Sequence, residues 1–204
     1  GLNELRIPVY GSKADIHDAV TQENGSFDET MAGISNTIEI APDIQITGIS
    51  LILKQNYFDI VNIQKHLAKY CHFMKFGMPG ISRLELGSNY TVKLSEIKPY
   101  LIKLAARMFE SKAPFAITDI PFCVFGFYQH NIINYSPDNM KGGLPDFADN
   151  YSVPDTYKSN DKHLPSYRVK TKLDICKNCS LDNICGGFHK NYFELYGTEH
   201  FDPL

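Results

Sequence analysis

The chain has 204 residues, of which 43% are hydrophobic, 12% aromatic and 21% charged; this suffices for one substantial core and excludes disordered and collagen-like architectures. Twenty Lys and Arg against 23 Asp and Glu leave a formal charge of −3, so no basic excess exists to neutralise a phosphate backbone or an anionic membrane, and neither is an expected partner. No apolar run approaches the roughly 18–20 residues of a membrane span, and the first residues, Gly1 to Arg6, lack the basic start and apolar middle of a signal peptide, so a cytoplasmic address is expected.

In chain order, Leu5 to Tyr10 reads as a short strand that stops at Gly11-Ser12. After a turn at Asn24-Gly25, Ser26 and Glu29 have capping-box spacing, and Met31, Ile34 and Ile38 recur at three- and four-residue intervals, which predicts a helix from about Phe27 to Ile38. The run from Ile44 to Leu53 is largely β-branched and too continuous for a half-exposed strand, as expected of a parallel strand covered on both faces. Ile60, Ile63, Leu67 and Tyr70 repeat at helical spacing, and Phe73 to Phe76 form a strand ending in the turn Gly77 to Gly80. Ser95 is the expected N-cap of a further helix with Pro99 in its first turn and Ile97, Leu101, Leu104, Ala105 and Met108 on one face. Pro114 to Ile120 adds a last strand. Alternating strands and helices predict an α/β fold with a parallel sheet, about half of a (β/α) barrel, since a closed barrel takes about 250 residues.

From Ser136 to Leu173 no period persists, and Pro, Gly, Asp and Tyr dominate a long loop that is a candidate peptide-binding groove. The chemistry concentrates in five cysteines. Cys176, Cys179 and Cys185 form a C-x2-C-x5-C array whose close spacing lets three thiolates converge on one ion or cluster. A fourth ligand is needed: Cys123, after the last strand, and His189, just past the array, are the two candidates. Four cysteines suit iron-sulfur or zinc, whereas three with a histidine favour structural zinc. Gly186-Gly187 would let backbone N–H groups approach the sulfurs, and Cys71, among Tyr70, Phe73 and Met74, reads as a core residue.

Taken together, Arg6 to Gly11, Ile16-His17-Asp18, Gly25 to Thr30, Gly33-Ile34, Leu53 to Asn56 and Ile120 to Cys123 resemble the second half of the catalytic barrel of radical S-adenosylmethionine (radical SAM) enzymes. The array Cys176, Cys179, Cys185 and Gly186, with Tyr192 and Gly197 downstream, resembles the SPASM and twitch extensions of that family. The resemblance implies a partial radical SAM β/α barrel over residues 1–120 and a SPASM/twitch-like region over residues 121–204, which includes the loop 136–173. It further implies an auxiliary 4Fe-4S cluster on Cys123, Cys176, Cys179 and Cys185, and an enzyme that modifies a peptide or protein. Because His189 stands where a full SPASM array would have another cysteine, a single cluster of twitch type is expected.

The family's C-x3-C-x2-C motif is absent from the 204 residues. The resemblance therefore implies a chain that is inactive alone, an N-terminally truncated piece or one part of a split protein with a missing N-terminal half or partner chain, and it implies S-adenosylmethionine and a second 4Fe-4S cluster only in the complete enzyme. His17 and Asp18 follow a strand's C-terminal end, where β/α barrels place active sites, and are the catalytic candidates. Asn56, Phe76, Gly77 and Met78 lie at the next strand ends, where the resemblance puts cofactor contacts. The alternative is a non-catalytic interaction module with a structural zinc site. No Walker loop, Rossmann fingerprint, nucleophile elbow or His-Glu-x-x-His helix is present.

Overall fold

A computed structural model describes residues 1–81, 83–107, 114–125, 132–133, 170–199, 201 and 204. The predicted loop lies outside the described residues as far as residue 169, as does Met108.

The fold is α/β. Strands β1 (Glu4–Pro8), β2 (Gln45–Leu51), β3 (Phe73–Gly77), β4 (Phe115–Thr118) and β5 (Ile132–Ile133) form one parallel sheet in sequence order. Each strand pairs with the next: Arg6 opposes Thr47, Ser50 opposes Phe76, Phe76 opposes Ile117 and Thr118 opposes Ile133. The strand order never reverses, unlike that of a doubly wound Rossmann sheet. The connections include helices α1 (Ala14–Thr21), α2 (Ser26–Ile40), α3 (Ile60–Leu67), α4 (Leu84–Tyr90) and α5 (Leu94–Ala106).

Successive strand residues point to opposite faces. Ile46, Met74, Phe76, Phe115 and Ile117 share one hydrophobic core with Ile34 of α2, Ile60, Ile63 and Leu67 of α3, and Leu101 and Leu104 of α5. Gly48 marks the tightest approach, since a Cβ there would lie 2.9 Å from Leu67 Cδ1 and 3.1 Å from Cys71 Sγ. The other face carries the Glu4–Arg6 pair, whose carboxylate also accepts the Thr47 hydroxyl at 3.0 Å, and the half-buried Ile49, Phe73 and Lys75.

Strands β6 (Lys170–Thr171) and β7 (Phe188–His189) form an antiparallel pair, followed by α6 (Lys190–Tyr196). The sequence predicts a cysteine-rich extension beginning at 121, but no separate cysteine-rich unit stands apart among the described residues. Phe188, Tyr192 and Phe201 belong to the same core as the sheet and helices, and β5 continues the sheet beyond residue 120.

Two helix starts also differ from expectation. Ser26 is the first residue of α2 and does not cap it; the Asp18 carboxylate does, accepting Gly25 N–H at 2.7 Å, Phe27 N–H at 2.9 Å and the Ser26 hydroxyl at 2.9 Å. A carboxylate satisfies more orphan N–H groups than a hydroxyl and complements the helix dipole. Helix α5 begins at Leu94, ahead of Ser95, so Pro99 sits deeper than the first turn; the Leu94 N–H is held by the Tyr192 hydroxyl of α6 at 2.6 Å.

Candidate functional site

The C-terminal ends of β1 to β4 gather the chemistry-bearing side chains. After β1, the His17 Nδ1 accepts the Tyr10 N–H at 3.1 Å, and the Asn56 amide donates to the Tyr10 carbonyl at 3.0 Å, so the two predicted residues grip opposite sides of one loop residue. Asn56 also donates to the Leu51 carbonyl at 2.9 Å and accepts the Leu53 N–H at 2.7 Å; both of its amide hydrogens serve the loop. His17 is buried, and burial lowers its pKa despite the nearby Asp18 charge, leaving a neutral ring with its proton on Nε2. Asp18 is held below the usual carboxylate range, first by the Gly25 N–H and then by Phe27 and Ser26. Asp59 adds another brace by accepting the Ser12 N–H at 2.7 Å and the Ser12 hydroxyl at 3.0 Å. Phe76 and Met78 are buried in the core, and Gly77 lies against Thr118 on the opposite face.

After β4, Pro121 starts a single 3-10 turn, Phe122–Val124, in which the Val124 N–H bonds to the Pro121 carbonyl at 3.1 Å; this delivers Cys123. The array is shaped by its own short turns: the Cys176 N–H bonds to the Leu173 carbonyl at 3.0 Å, Cys179 to Cys176 at 2.9 Å, and Cys185 to Leu181 at 2.9 Å. Cys123, Cys176, Cys179 and Cys185 line one pocket of about 500 Å³, its open mouth included, together with apolar side chains such as Phe122, Leu173 and Phe188. Burial pushes the Cys123 thiol up to about 12, and the proximity of Cys185, Cys176 and Cys179 adds to that shift. Against this, no group of three or more His, Cys, Asp and Glu side chains among the described residues is arranged to hold a metal ion.

His189, the rival fourth ligand, does not line the pocket, although its neighbour Phe188 does. In β7 adjacent side chains diverge, and His189 lies where its charge acts on Asp119. Of the glycine pair expected to let N–H groups approach the sulfurs, Gly187, with φ +75°, donates its N–H to Cys185 Sγ at 3.4 Å; a Cβ there would collide with the Thr171 carbonyl oxygen. A feature that escapes a reading of motifs is the 3.0 Å ion pair of Lys172 and Asp182 at the pocket wall. Cys71 is buried beneath Gly48, and burial raises its thiol to about 11, which makes it an inert core residue.

Comparison with known proteins returns no matching family model, no similar curated protein and no similar solved structure. No described helix is long and apolar enough to cross a membrane.

Proposed function

We propose that this chain is the C-terminal portion of a radical SAM enzyme that modifies a peptide or protein, and that Cys123, Cys176, Cys179 and Cys185 hold an auxiliary 4Fe-4S cluster. One observation carries the reading: four thiols from two distant segments line a single, otherwise largely apolar pocket at the C-terminal end of a parallel sheet. Parallel β/α architectures place their reactive groups at that end, and the singly wound strand order suits part of a barrel. The donor set, four soft thiolates around one pocket, suits an iron-sulfur cluster, and the resemblance to the SPASM and twitch extensions is what prefers it to zinc. When bound, the cluster supplies electron transfer or ligation of substrate. Cysteine thiolates hold it, the Gly187 N–H tunes Cys185, and the apolar wall excludes water.

In this reading His17, Asp18 and Asn56 build the strand-end wall of the reaction chamber and Gly77 borders the S-adenosylmethionine side, while Phe76 and Met78, buried in the core, support that strand end from behind. The half-polar sheet face bearing Glu4, Arg6, Thr47 and Lys75 faces the missing half or partner chain. Reduced thiols fit a cytoplasmic setting.

The test is iron, acid-labile sulfide and zinc content of anaerobically reconstituted protein, with an absorption spectrum of the same sample. The expectation is about four irons and four sulfides per chain, lost in Cys123→Ser and kept in Cys71→Ser. One zinc unmoved by reconstitution, or full iron in Cys123→Ser, would sink the assignment.

A further inference from the structure

Asp119 follows directly on β4 and has φ +62°; among the described residues the only other non-glycine with positive φ is Gln22, which ends α1. Asp tolerates this region better than most residues, yet it remains disfavoured, and such a backbone persists where its surroundings over-determine it. Here the surroundings include an ion pair. Lys170 Nζ lies 2.8 Å from Asp119 Oδ1, with the two side chains only 21% and 28% exposed. His189 of β7 and Lys75 of β3 also face this carboxylate with their charges. Lys170 opens β6 and pairs in register with His189, so the ion pair fastens the end of β4 to the β6–β7 hairpin.

That junction lies between the two sources of thiols. Cys123 is four residues beyond Asp119, while Thr171 and Lys172, next to Lys170, line the pocket together with the array. The array cysteines are held relative to one another by their own turns, but Cys123 arrives from a different element, and its placement depends on whatever ties β4 to the hairpin. We propose that the Asp119–Lys170 ion pair is the positioning device that sets Cys123 against Cys176, Cys179 and Cys185. Asp119 acts through Cys123 and is not a ligand. Two partners largely withdrawn from water hold a defined geometry, and removing one leaves the other charge poorly solvated. The inference rests on the four-thiolate reading and adds the element that assembles it.

The test uses Asp119→Asn, Asp119→Gly, Lys170→Met and Lys170→Arg, with Asp119→Asn also combined with Cys123→Ser. Cluster retention against a chelator is measured by iron and sulfide content. In the metal-free protein, mass spectrometry follows iodoacetamide alkylation of each cysteine. Asp119→Asn and Lys170→Met should retain the cluster roughly tenfold less well, the scale of lost outer-shell contacts. Cys123 should alkylate several-fold faster in them while the other three keep their rates. Asp119→Gly, though relieved of backbone strain, should match Asp119→Asn, and Lys170→Arg should restore the wild-type result. In the Cys123→Ser background, which retains no cluster, Asp119→Asn should leave the alkylation rates of Cys176, Cys179 and Cys185 unchanged. Faster alkylation of those three there, equal acceleration at all four cysteines in the single variants, or wild-type behaviour of Asp119→Asn would overturn the proposal. If wild-type protein takes up no iron, the cluster reading fails, and alkylation still decides whether the pair holds Cys123.

Discussion

His17 accepts a backbone N–H through Nδ1 inside a buried site, so its proton must stay on Nε2 and a second proton has no favourable place. Because burial depresses its folded pKa, the unfolded chain binds that proton more readily. The stabilisation is complete above about pH 6.5 and is lost as pH falls through the lower folded value. His17→Gln, which keeps an acceptor for Tyr10, should flatten the decline in urea midpoint as pH falls below about 6.5; a wild-type slope would contradict this account. At Gly187 the backbone makes the demand: Ala would meet both the positive φ and the Thr171 carbonyl. A loss of about 1–3 kcal/mol in unfolding free energy is expected, together with loss of the N–H contact to Cys185. Denaturant titration of Gly187→Ala with measurement of bound iron checks both parts.

Helix α6 stabilises α5 by an unusual route, through a side-chain hydroxyl. Tyr192 is buried, and its oxygen accepts the Leu94 N–H at the open start of α5. Tyr192→Phe would leave that donor buried without its partner and should cost about 1–3 kcal/mol, read as a lower thermal midpoint and faster exchange of the Leu94 amide. The elements that were legible in the sequence are those whose own pattern dictates burial: α3 carries Ile60, Ile63 and Leu67 on one face, and β2 is β-branched. Helices α1 and α4 left no such pattern. The buried residue of α1 is His17, and α4 contains Gly87, Ser88 and Asn89; it is held by packing of Gly87 against Ile81 and Leu195. The start of α2 was legible, but the identity of its cap was not, because Asp18 reaches it from the preceding helix.

At the scale of the molecule, the same contrast between local and distant information governs the site. The array could be read from spacing because three thiols within ten residues converge by local turns. The Asp119–Lys170 pair left no trace in the sequence, since it joins residues brought together only by the fold. The shared core of sheet and C-terminal segment was equally hidden: Phe188, Tyr192 and Phe201 follow the cysteines in sequence but pack with strands that precede them. The origin of the thiols in two segments also bears on the stretch of chain between them. Joining Cys123 to Cys176 through a common group closes a long loop, and closure entropy grows only with the logarithm of loop length, about 0.6 kcal/mol for each doubling. The stretch between β5 and β6 is therefore nearly free in length. About a dozen Gly and Ser residues inserted after Gly143 should leave iron retention unchanged, a length change that the thiols on either side would not feel.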